Sequence, residues 1–254
     1  MKICVLASGS KGNSTFVEAS NNKILIDIGM SSLYIEKSLN KIGIKPSEIN
    51  GILITHTHVD HINGLKVFLK KYNTHLYITE KIYNELKRQI EIKNYTIIDK
   101  EFELNNVKID ILKTSHDAED SNGYIITNES SSLAYITDTG YINRKYHDIL
   151  SNKNYYIIES NHDVELLMNG KYPYHLKQRI LGDRGHLSNE ACANYMTKFV
   201  GNNTRGAILI HLSEENNRKE IAYSTFINTL KEKDKILENV IISSQTEPTE
   251  VIEI

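Results

Sequence analysis

One stretch carries most of the information in this chain: THTHVDH, residues 55–61. It follows the apolar run at residues 51–55, which we predict to be a buried strand, and it precedes a helical pattern over residues 59–71. A chance cluster on a polar loop is the alternative, but four histidines and aspartates at this spacing rarely arise by chance. The stretch therefore indicates a site with specific chemistry.

The spacing of the four side chains suits metal binding. On an extended backbone, residues two positions apart face the same way, so His56 and His58 can hold one ion together. Asp60 and His61 lie where the chain turns into the helix, so their side chains can diverge and reach a neighbouring ion. Imidazole and carboxylate ligands suit zinc, manganese or iron, and the stretch therefore predicts a metal centre.

Three further polar residues end apolar runs elsewhere in the chain and offer the remaining ligands. His116 ends residues 109–116, Asp138 ends residues 134–138, and His211 ends residues 207–211. Taken singly, each could be an ordinary histidine or a turn aspartate. Because α/β folds place reactive groups at the tips of buried strands, we expect the three to complete the set begun at residues 55–61.

The composition limits the class of protein. The chain has 254 residues, of which 24% are charged and 40% hydrophobic, and this excludes a disordered protein. The formal net charge of −2 excludes a globally basic nucleic-acid wrapper but not a local basic groove. Cys4 and Cys192 form no disulfide framework, and no apolar run approaches the roughly 20 residues of a membrane span, so we expect a cytoplasmic protein without membrane contact.

Strand-like and helical patterns alternate along the chain, and no Pro/Gly/Ser-rich linker divides it. The predicted strands lie at residues 3–7, 14–19, 23–28, 51–55, 76–78, 107–112, 124–127, 132–137, 155–159, 207–211 and 240–243. The predicted helices lie at residues 31–43, 59–71, 81–93, 144–150 and 220–231, with another beginning at Ser188. This alternation predicts sheets covered by helices in one α/β domain over residues 1–254.

With its ligand motifs, the sequence resembles the metallo-β-lactamase-fold hydrolase superfamily across nearly the whole chain. The resemblance implies a four-layer αββα sandwich with two divalent metals in a cleft at one edge of the sheets. The residues that it implies as ligands of the first metal are His56, His58 and His116. Those that it implies for the second metal are Asp60, His61 and His211, with Asp138 bridging the two.

Asp27, in the run ILIDIG at residues 24–29, matches the first motif of the superfamily. The resemblance implies that it orients the metal loop through hydrogen bonds behind the ligands. A simple turn residue before Gly29 is the alternative. The dizinc β-lactamases place a cysteine at the position that matches Asp138, so we do not expect antibiotic hydrolysis.

Charge and metal chemistry narrow the substrate. The charge of two divalent ions exceeds the combined negative charge of Asp60, Asp138 and a bridging hydroxide, which favours an anionic or strongly polarised substrate. Coordination lowers the pKa of water toward about 7, so that a metal-bound hydroxide would be available to attack phosphorus. Cleavage of a thioester fits the same ligands, and the ligands alone do not choose.

Two more motifs favour phosphodiester cleavage. Glu159, in the run IIESNHD at residues 157–163, and His186, in the run GHLSNEA at residues 185–191, resemble the paired motifs of the ribonuclease Z branch. The resemblance implies that His186 contacts the scissile phosphate or protonates the leaving oxygen, while Glu159 fixes its tautomer. The alternative is that His186 merely precedes a helix capped by Ser188. With Asp60, these two are the predicted catalytic residues.

The combination of SGSKGN at residues 8–13, ESNHD at residues 159–163, GHLSN at residues 185–189 and HLS at residues 211–213 resembles the YycJ/WalJ subfamily. That resemblance implies a 5′-to-3′ exonuclease on double-stranded DNA with a role in DNA repair. Residues 8–13 would form an anion-binding loop, although a plain tight turn competes. The candidate substrate contacts are Ser10, Lys11, Asn13, His162, Arg179 and Arg184, and the run at residues 81–93 is either an exposed helix or a DNA backbone track.

The leading hypothesis is a dinuclear metal-dependent phosphodiesterase or nuclease that acts on nucleic acid, with DNA cleaved from an end as the expected reaction. The alternatives are a glyoxalase-II-like thioesterase and a non-catalytic, metal-loaded DNA-binding or regulatory protein. The sequence leaves open the metal (zinc, manganese or iron), the choice between DNA and RNA, and the oligomeric state.

Overall fold

Two seven-stranded sheets form the centre of the computed structural model, which describes residues 1–254. The first sheet contains β1 (Lys2–Ala7), β2 (Ser14–Ala19), β3 (Asn22–Ile26), β4 (Gly51–Leu53), β5 (Leu76–Ile78) and β6 (Tyr95–Ile97). The second contains β7 (Glu101–Leu104), β8 (Val107–Lys113), β9 (Asn122–Thr127), β10 (Ser132–Ile136), β11 (Tyr155–Glu159), β12 (Gly206–Ile210) and β13 (Asn239–Ile242). The last strand, β14 (Ile252–Glu253), returns to the first sheet beside β1.

Both sheets mix antiparallel hairpins with parallel crossovers. The strand orders are β14-β1-β2-β3-β4-β5-β6 and β13-β12-β11-β10-β9-β8-β7. Strands β1 to β3 and β7 to β10 pair antiparallel, whereas β3 to β6 and β10 to β13 pair parallel. The tight turn between β7 and β8 uses Asn105 and Asn106, whose φ angles of 43° and 66° suit the two-residue hairpin loops that asparagine tolerates.

Helices cover the outer face of each sheet. They are α1 (Ser32–Lys41), α2 (Val59–Ile62), α3 (Leu65–Tyr72), α4 (Glu80–Leu86), α5 (His147–Leu150), α6 (Val164–Asn169), α7 (Tyr174–Leu181), α8 (Asn189–Phe199) and α9 (Lys219–Lys231). Two 3₁₀ turns lie at Pro46–Glu48 and Arg144–Tyr146. All the helices are too short or too polar for a transmembrane span.

Three hydrophobic clusters make the four layers. Residues from the inner faces of both sheets, including Val5 of β1 and Ile208 of β12, form the central core. A second cluster packs α8 and α9 onto the second sheet, with Phe199 and Phe226 fully buried. A third packs α1, α3 and α4 onto the first sheet. The burial pattern confirms the predicted αββα sandwich, because each sheet buries one face against its partner and the other against helices.

The helix predicted over residues 59–71 is wrong in one respect, because it is two helices. The break falls at Gly64, where an added Cβ would lie 2.1 Å from the carbonyl oxygen of Met30. The Gly64 amide donates to the carbonyl of Ile28 at 2.9 Å instead of continuing a helical ladder. This close approach fixes the loop after β3 against the metal-motif segment, and only glycine permits it.

Other elements differ from their predicted bounds. Residues 81–93 are not one helix, since α4 ends at Leu86 and Ile90 packs back into the core. The sequence patterns did not predict α6, α7 or the short strands β6, β7 and β14. Helix α7 buries none of its residues, so it carries no wide apolar stripe that a pattern search would detect.

Candidate metal centre

The seven predicted ligands lie together at one end of the two sheets. One ligand atom from each of His56, His58 and His116 lies within 4.8 Å of the others. The same holds for Asp60, His61 and His211. The predicted ligands therefore form two groups of three side chains, each small enough to surround one metal ion.

Asp138 joins the two groups. Its Oδ2 lies 3.2 Å from Nε2 of His61, and its Oδ1 lies 3.7 Å from Nε2 of His116 and 3.6 Å from Nε2 of His211. The carboxylate therefore lies close to imidazoles of both groups, which is a suitable place for a shared ligand.

The ligands converge because each follows the end of a strand. His116 lies three residues beyond β8, Asp138 two beyond β10, and His211 directly after β12. Asp138 and His211 take left-handed backbone conformations, with φ of 49° and 59°. For residues other than glycine this conformation costs free energy, and such strain is common where a fold holds functional side chains in place.

Asp27 fixes His61 from behind. The carboxylate of Asp27 is fully buried, accepts from the amide and hydroxyl of Thr55 at 2.8 Å each, and accepts from Nδ1 of His61 at 2.8 Å. Nε2 of His61 therefore faces Asp138. Burial alone would lower the pKa of His61, but the charges of Asp138 and Asp27 raise it to about 10. The carboxylates of Asp138 and Asp27 thus favour a positive charge at or beside the His61 ring.

The chemistry of the donor set fits divalent metal ions. Nε2 of His56 and Nε2 of His211 are buried and have no hydrogen-bond partner in the chain. Burial and the neighbouring His61 hold the pKa of His56 well below its usual value, so its imidazole is neutral, which is the form that binds metals. Unpartnered buried nitrogens are costly, and a cation among them removes that cost.

Glu159 connects the centre to His186. Its Oε1 accepts from Nδ1 of His186 at 2.7 Å and from Nδ1 of His211 at 2.8 Å, and its Oε2 accepts from the amides of Thr139 and Leu187 at 3.1 Å each. Burial would raise the pKa of this carboxyl, but His186 and the hydrogen bonds lower it to about 2. Conversely, burial would lower the pKa of His186, while Glu159 raises it.

A cleft of about 320 Å³ opens over these residues. Its floor includes His58, Asp60, His116, Asp138, His186 and His211. Among the predicted substrate contacts, Ser10, Arg179 and Arg184 line it. The side chain of Arg179 pairs with Asp117, with Nε 2.6 Å from the Oδ2 of that carboxylate, and Nε of Arg184 donates to the carbonyl of His116 at 3.1 Å.

The structure does not place Asn13 and His162 where a substrate would reach them. Asn13 is 1% exposed, and its side chain accepts from the amide of Gly9 at 2.8 Å and approaches Nε2 of His61 at 3.1 Å. His162 is also 1% exposed, and its Nε2 has no partner. Substrate contact by either residue stays a prediction that their burial does not support, because the sequence gave no measure of that burial.

Lys11 lies outside the cleft lining, at its rim. Its Nζ lies 2.7 Å from Oε1 of Glu214, and both side chains are about half exposed. The loop at residues 8–13 accordingly combines one buried asparagine, which supports the ligand loop, with one exposed ion pair. Only Ser10 of this loop lines the cleft.

Several cleft residues carried no signal that the sequence analysis recognised. Asp117 directly follows the ligand His116, and that position is the one available hint. Asn161 donates to the carbonyl of His211 at 2.9 Å and so supports the last ligand. Tyr172 lies on a segment without periodicity, and only its place in the folded chain brings it to the cleft.

Comparison with known proteins shows the family of this chain. The sequence model of a family described as the beta-lactamase superfamily domain matches residues 22–212. Exodeoxyribonuclease WalJ of Streptococcus pneumoniae is 41% identical over 240 residues, which cover 92% of this chain and 89% of that protein. Exodeoxyribonuclease YycJ of Bacillus anthracis is 36% identical over 234 residues, covering 90% of this chain and 89% of that protein.

The fold has close matches among solved structures as well. The crystal structure of the metallo-beta-lactamase fold protein YhfI from Bacillus subtilis superposes with a TM-score of 0.74 at 14% identity, covering 98% of this chain and 99% of that one. The chain therefore belongs to the β-lactamase superfamily, as a metal-dependent hydrolase, and within it to the family of the exodeoxyribonucleases WalJ and YycJ.

Proposed function

We propose that this chain is a metal-dependent exodeoxyribonuclease that hydrolyses phosphodiester bonds of double-stranded DNA from an end, in the 5′-to-3′ direction. The names of its relatives WalJ and YycJ support the reaction class. The observation that carries the proposal is the hydrogen bond between Glu159 and His186, because His186 lines the same cleft as five of the seven predicted ligands.

The ligand set divides into two positions. His56, His58 and His116 would hold one divalent ion, and Asp60, His61 and His211 a second, with Asp138 shared. Zinc, manganese and iron all suit imidazole and carboxylate ligands. Ions bound there would supply Lewis-acid activation of water and stabilise the charge of the transferring phosphoryl group.

Side chains of the protein would bind the phosphate and protonate the leaving oxygen. Arg179 and Arg184 lie at the wall of the cleft, where guanidinium groups bind phosphate oxygens. Glu159 holds the Nδ1–H of His186, so Nε2 is the nitrogen that faces the substrate. Because Glu159 raises the pKa of His186, this imidazole keeps a proton that it donates to the departing oxygen.

The test is cleavage of end-labelled duplex DNA by protein loaded with Mn²⁺, Zn²⁺ or Fe²⁺. Labels at the 5′ and at the 3′ end, on separate substrates, report the direction of digestion. Asp60→Ala should abolish cleavage, whereas the matched control Asp99→Ala, at an exposed loop position, should not change it.

Each negative outcome points to a different function. No cleavage with any of the three metals removes the nuclease proposal. Release of thiol from an acyl-glutathione substrate would then indicate a thioesterase. Tight DNA binding without turnover in the metal-loaded protein would indicate a regulatory protein. An active Asp60→Ala variant would contradict the assigned role of this ligand.

A further inference from the structure

The cleft has one apolar wall. Tyr172, Leu176 and Ile180 are half-buried and line it on the side formed by residues 170–185, which we call the α7 segment. Leu176 and Ile180 are four positions apart on α7 and therefore share one helix face. Arg179 and Arg184 of the same segment also line the cleft, and outside the segment the lining is polar except for Leu212. A ligand with one flat apolar face and one charged part fits this division.

The turn that carries Tyr172 is held in place on both sides. Nζ of Lys177 donates to the carbonyls of Met168 and Gly170 at 2.7 Å each, which ties α7 to the turn before it. Pro173 caps the start of α7 and accepts from the amide of Leu176 at 3.0 Å. Tyr172 therefore stands on a braced turn, so little backbone entropy is lost there when a ligand stacks on the ring.

The α7 segment is also fixed to the ligand loops. A Cβ on Gly140, two residues after Asp138, would lie 2.4 Å from the carbonyl oxygen of Asp183. The ion pair between Arg179 and Asp117 and the hydrogen bond from Arg184 to His116 connect the same segment to the first ligand group. The apolar wall and the predicted metal ligands are accordingly joined by direct contacts.

The volume of the cleft indicates the size of the ligand that it can enclose. About 320 Å³ is near the lower limit for small-molecule pockets, which is room for a single nucleotide beside the predicted ligands. Enzymes that act on nucleotides in a narrow pocket take them out of the duplex and stack the bases on aromatic side chains. A strand end would have to lose its pairing before its phosphate reached the ligands.

We propose that Tyr172, backed by Leu176 and Ile180, is the platform on which one unpaired terminal base stacks while its phosphate lies over the metal ligands. The duplex then stays outside the cleft, and the terminal pair opens before cleavage. This inference rests on the proposed nuclease function for its substrate, but its test has a readout that does not depend on turnover.

The chain contains no tryptophan, so a single introduced tryptophan reports on its own surroundings. In Tyr172→Trp, metal-loaded protein titrated with an oligonucleotide whose terminal linkages are phosphorothioates should show quenching of the indole by the stacked base. Tyr174→Trp is the matched control, because Tyr174 lies in the same segment, is 71% exposed and does not line the cleft. Its fluorescence should stay unchanged.

Steady-state kinetics provide the second measurement. Tyr172→Ala should raise KM about 5- to 150-fold, because it removes the binding free energy that base stacking contributes. Tyr172→Phe keeps the ring, so its KM should stay within about twofold of that of the wild type. A mismatched terminal pair should speed the first cleavage, and Tyr174→Ala should leave KM unchanged. Equal loss in the Ala and Phe variants would instead assign the contact to the phenol hydroxyl and overturn the stacking proposal.

The outcomes separate this inference from the proposed function. If the wild type digests DNA but the Tyr172→Trp signal is not quenched and Tyr172→Ala keeps its KM, the platform is refuted and the nuclease stands. If quenching occurs but no metal supports cleavage, the nuclease fails and the binding platform stands.

Discussion

Replacing Glu159 by glutamine would turn one acceptor oxygen of a fully buried carboxylate into a donor. All four groups around this carboxylate donate to it: two backbone amides at Oε2, and Nδ1 of His186 and of His211 at Oε1. The amides of Thr139 and Leu187 cannot change, so the glutamine oxygen must face them. Its NH₂ group must then face the two imidazoles.

The two rings can accept from this NH₂ group only by moving their own protons to Nε2. For His211 that nitrogen is buried, unpartnered and assigned to a metal. A protonated Nε2 cannot bind a cation. Loss of such a supporting partner typically lowers metal affinity 10- to 100-fold, which corresponds to about 1.4–2.8 kcal/mol. We expect Glu159→Gln to weaken metal binding by this amount.

Competition with a chromogenic chelator measures the metal affinity directly, without turnover. Glu129→Gln, at an exposed turn between β9 and β10, is the matched control and should bind metal like the wild type. If Glu159→Gln bound metal within about twofold of the wild type, the tautomer argument would be refuted. The role of Glu159 would then be limited to His186.

The same substitution has two consequences for pH dependence. Because Glu159 raises the pKa of His186, its removal should lower that pKa, so the alkaline fall of kcat/KM moves to lower pH. The pKa of Glu159 itself is lowered to about 2 in the folded chain from an ordinary 4.5. Its stabilising effect is therefore complete above pH 4.5 and is lost as the pH falls toward 2, so the difference in unfolding free energy between wild type and Glu159→Gln should shrink over that range.

Three further predictions follow from separate features. Gly29→Ala should lower the free energy of unfolding by about 1–3 kcal/mol in denaturant titrations, because the new Cβ would lie 1.7 Å from the carbonyl oxygen of Asp60. Unchanged stability would show that the loop can move. Chelation of bound metal should lower Tm by roughly 5–10 °C for each ion present at about 100 times its Kd, and added metal should restore it. An unchanged Tm would contradict a metal centre built into the folded state. Arg179→Ala should raise KM for DNA and reduce the slope of log KM against log salt by about one, and a slope equal to that of the wild type would remove its phosphate contact.

The local sequence predicted the candidate ligands and determined the layers. Apolar runs lead into His116, Asp138 and His211, which lie one to three residues beyond their strands, and such a polar tip can be recognised from the residues alone. The alternation of strands and helices likewise predicts covered sheets, because each element must bury an apolar face. These features depend on neighbours in the sequence, which is why periodicity and motif spacing were sufficient to find them.

Only the tertiary structure decided what surrounds those ligands. Asn13 and His162 are polar residues in promising motifs, but packing buries them, whereas Tyr172 lies in an unremarkable stretch and lines the cleft. Gly64 breaks a continuous helical pattern because the backbone at Met30 approaches it from 34 positions earlier in the chain. The burial of a side chain and the approach of distant backbone depend on contacts between remote segments, and no local pattern in the sequence encodes them.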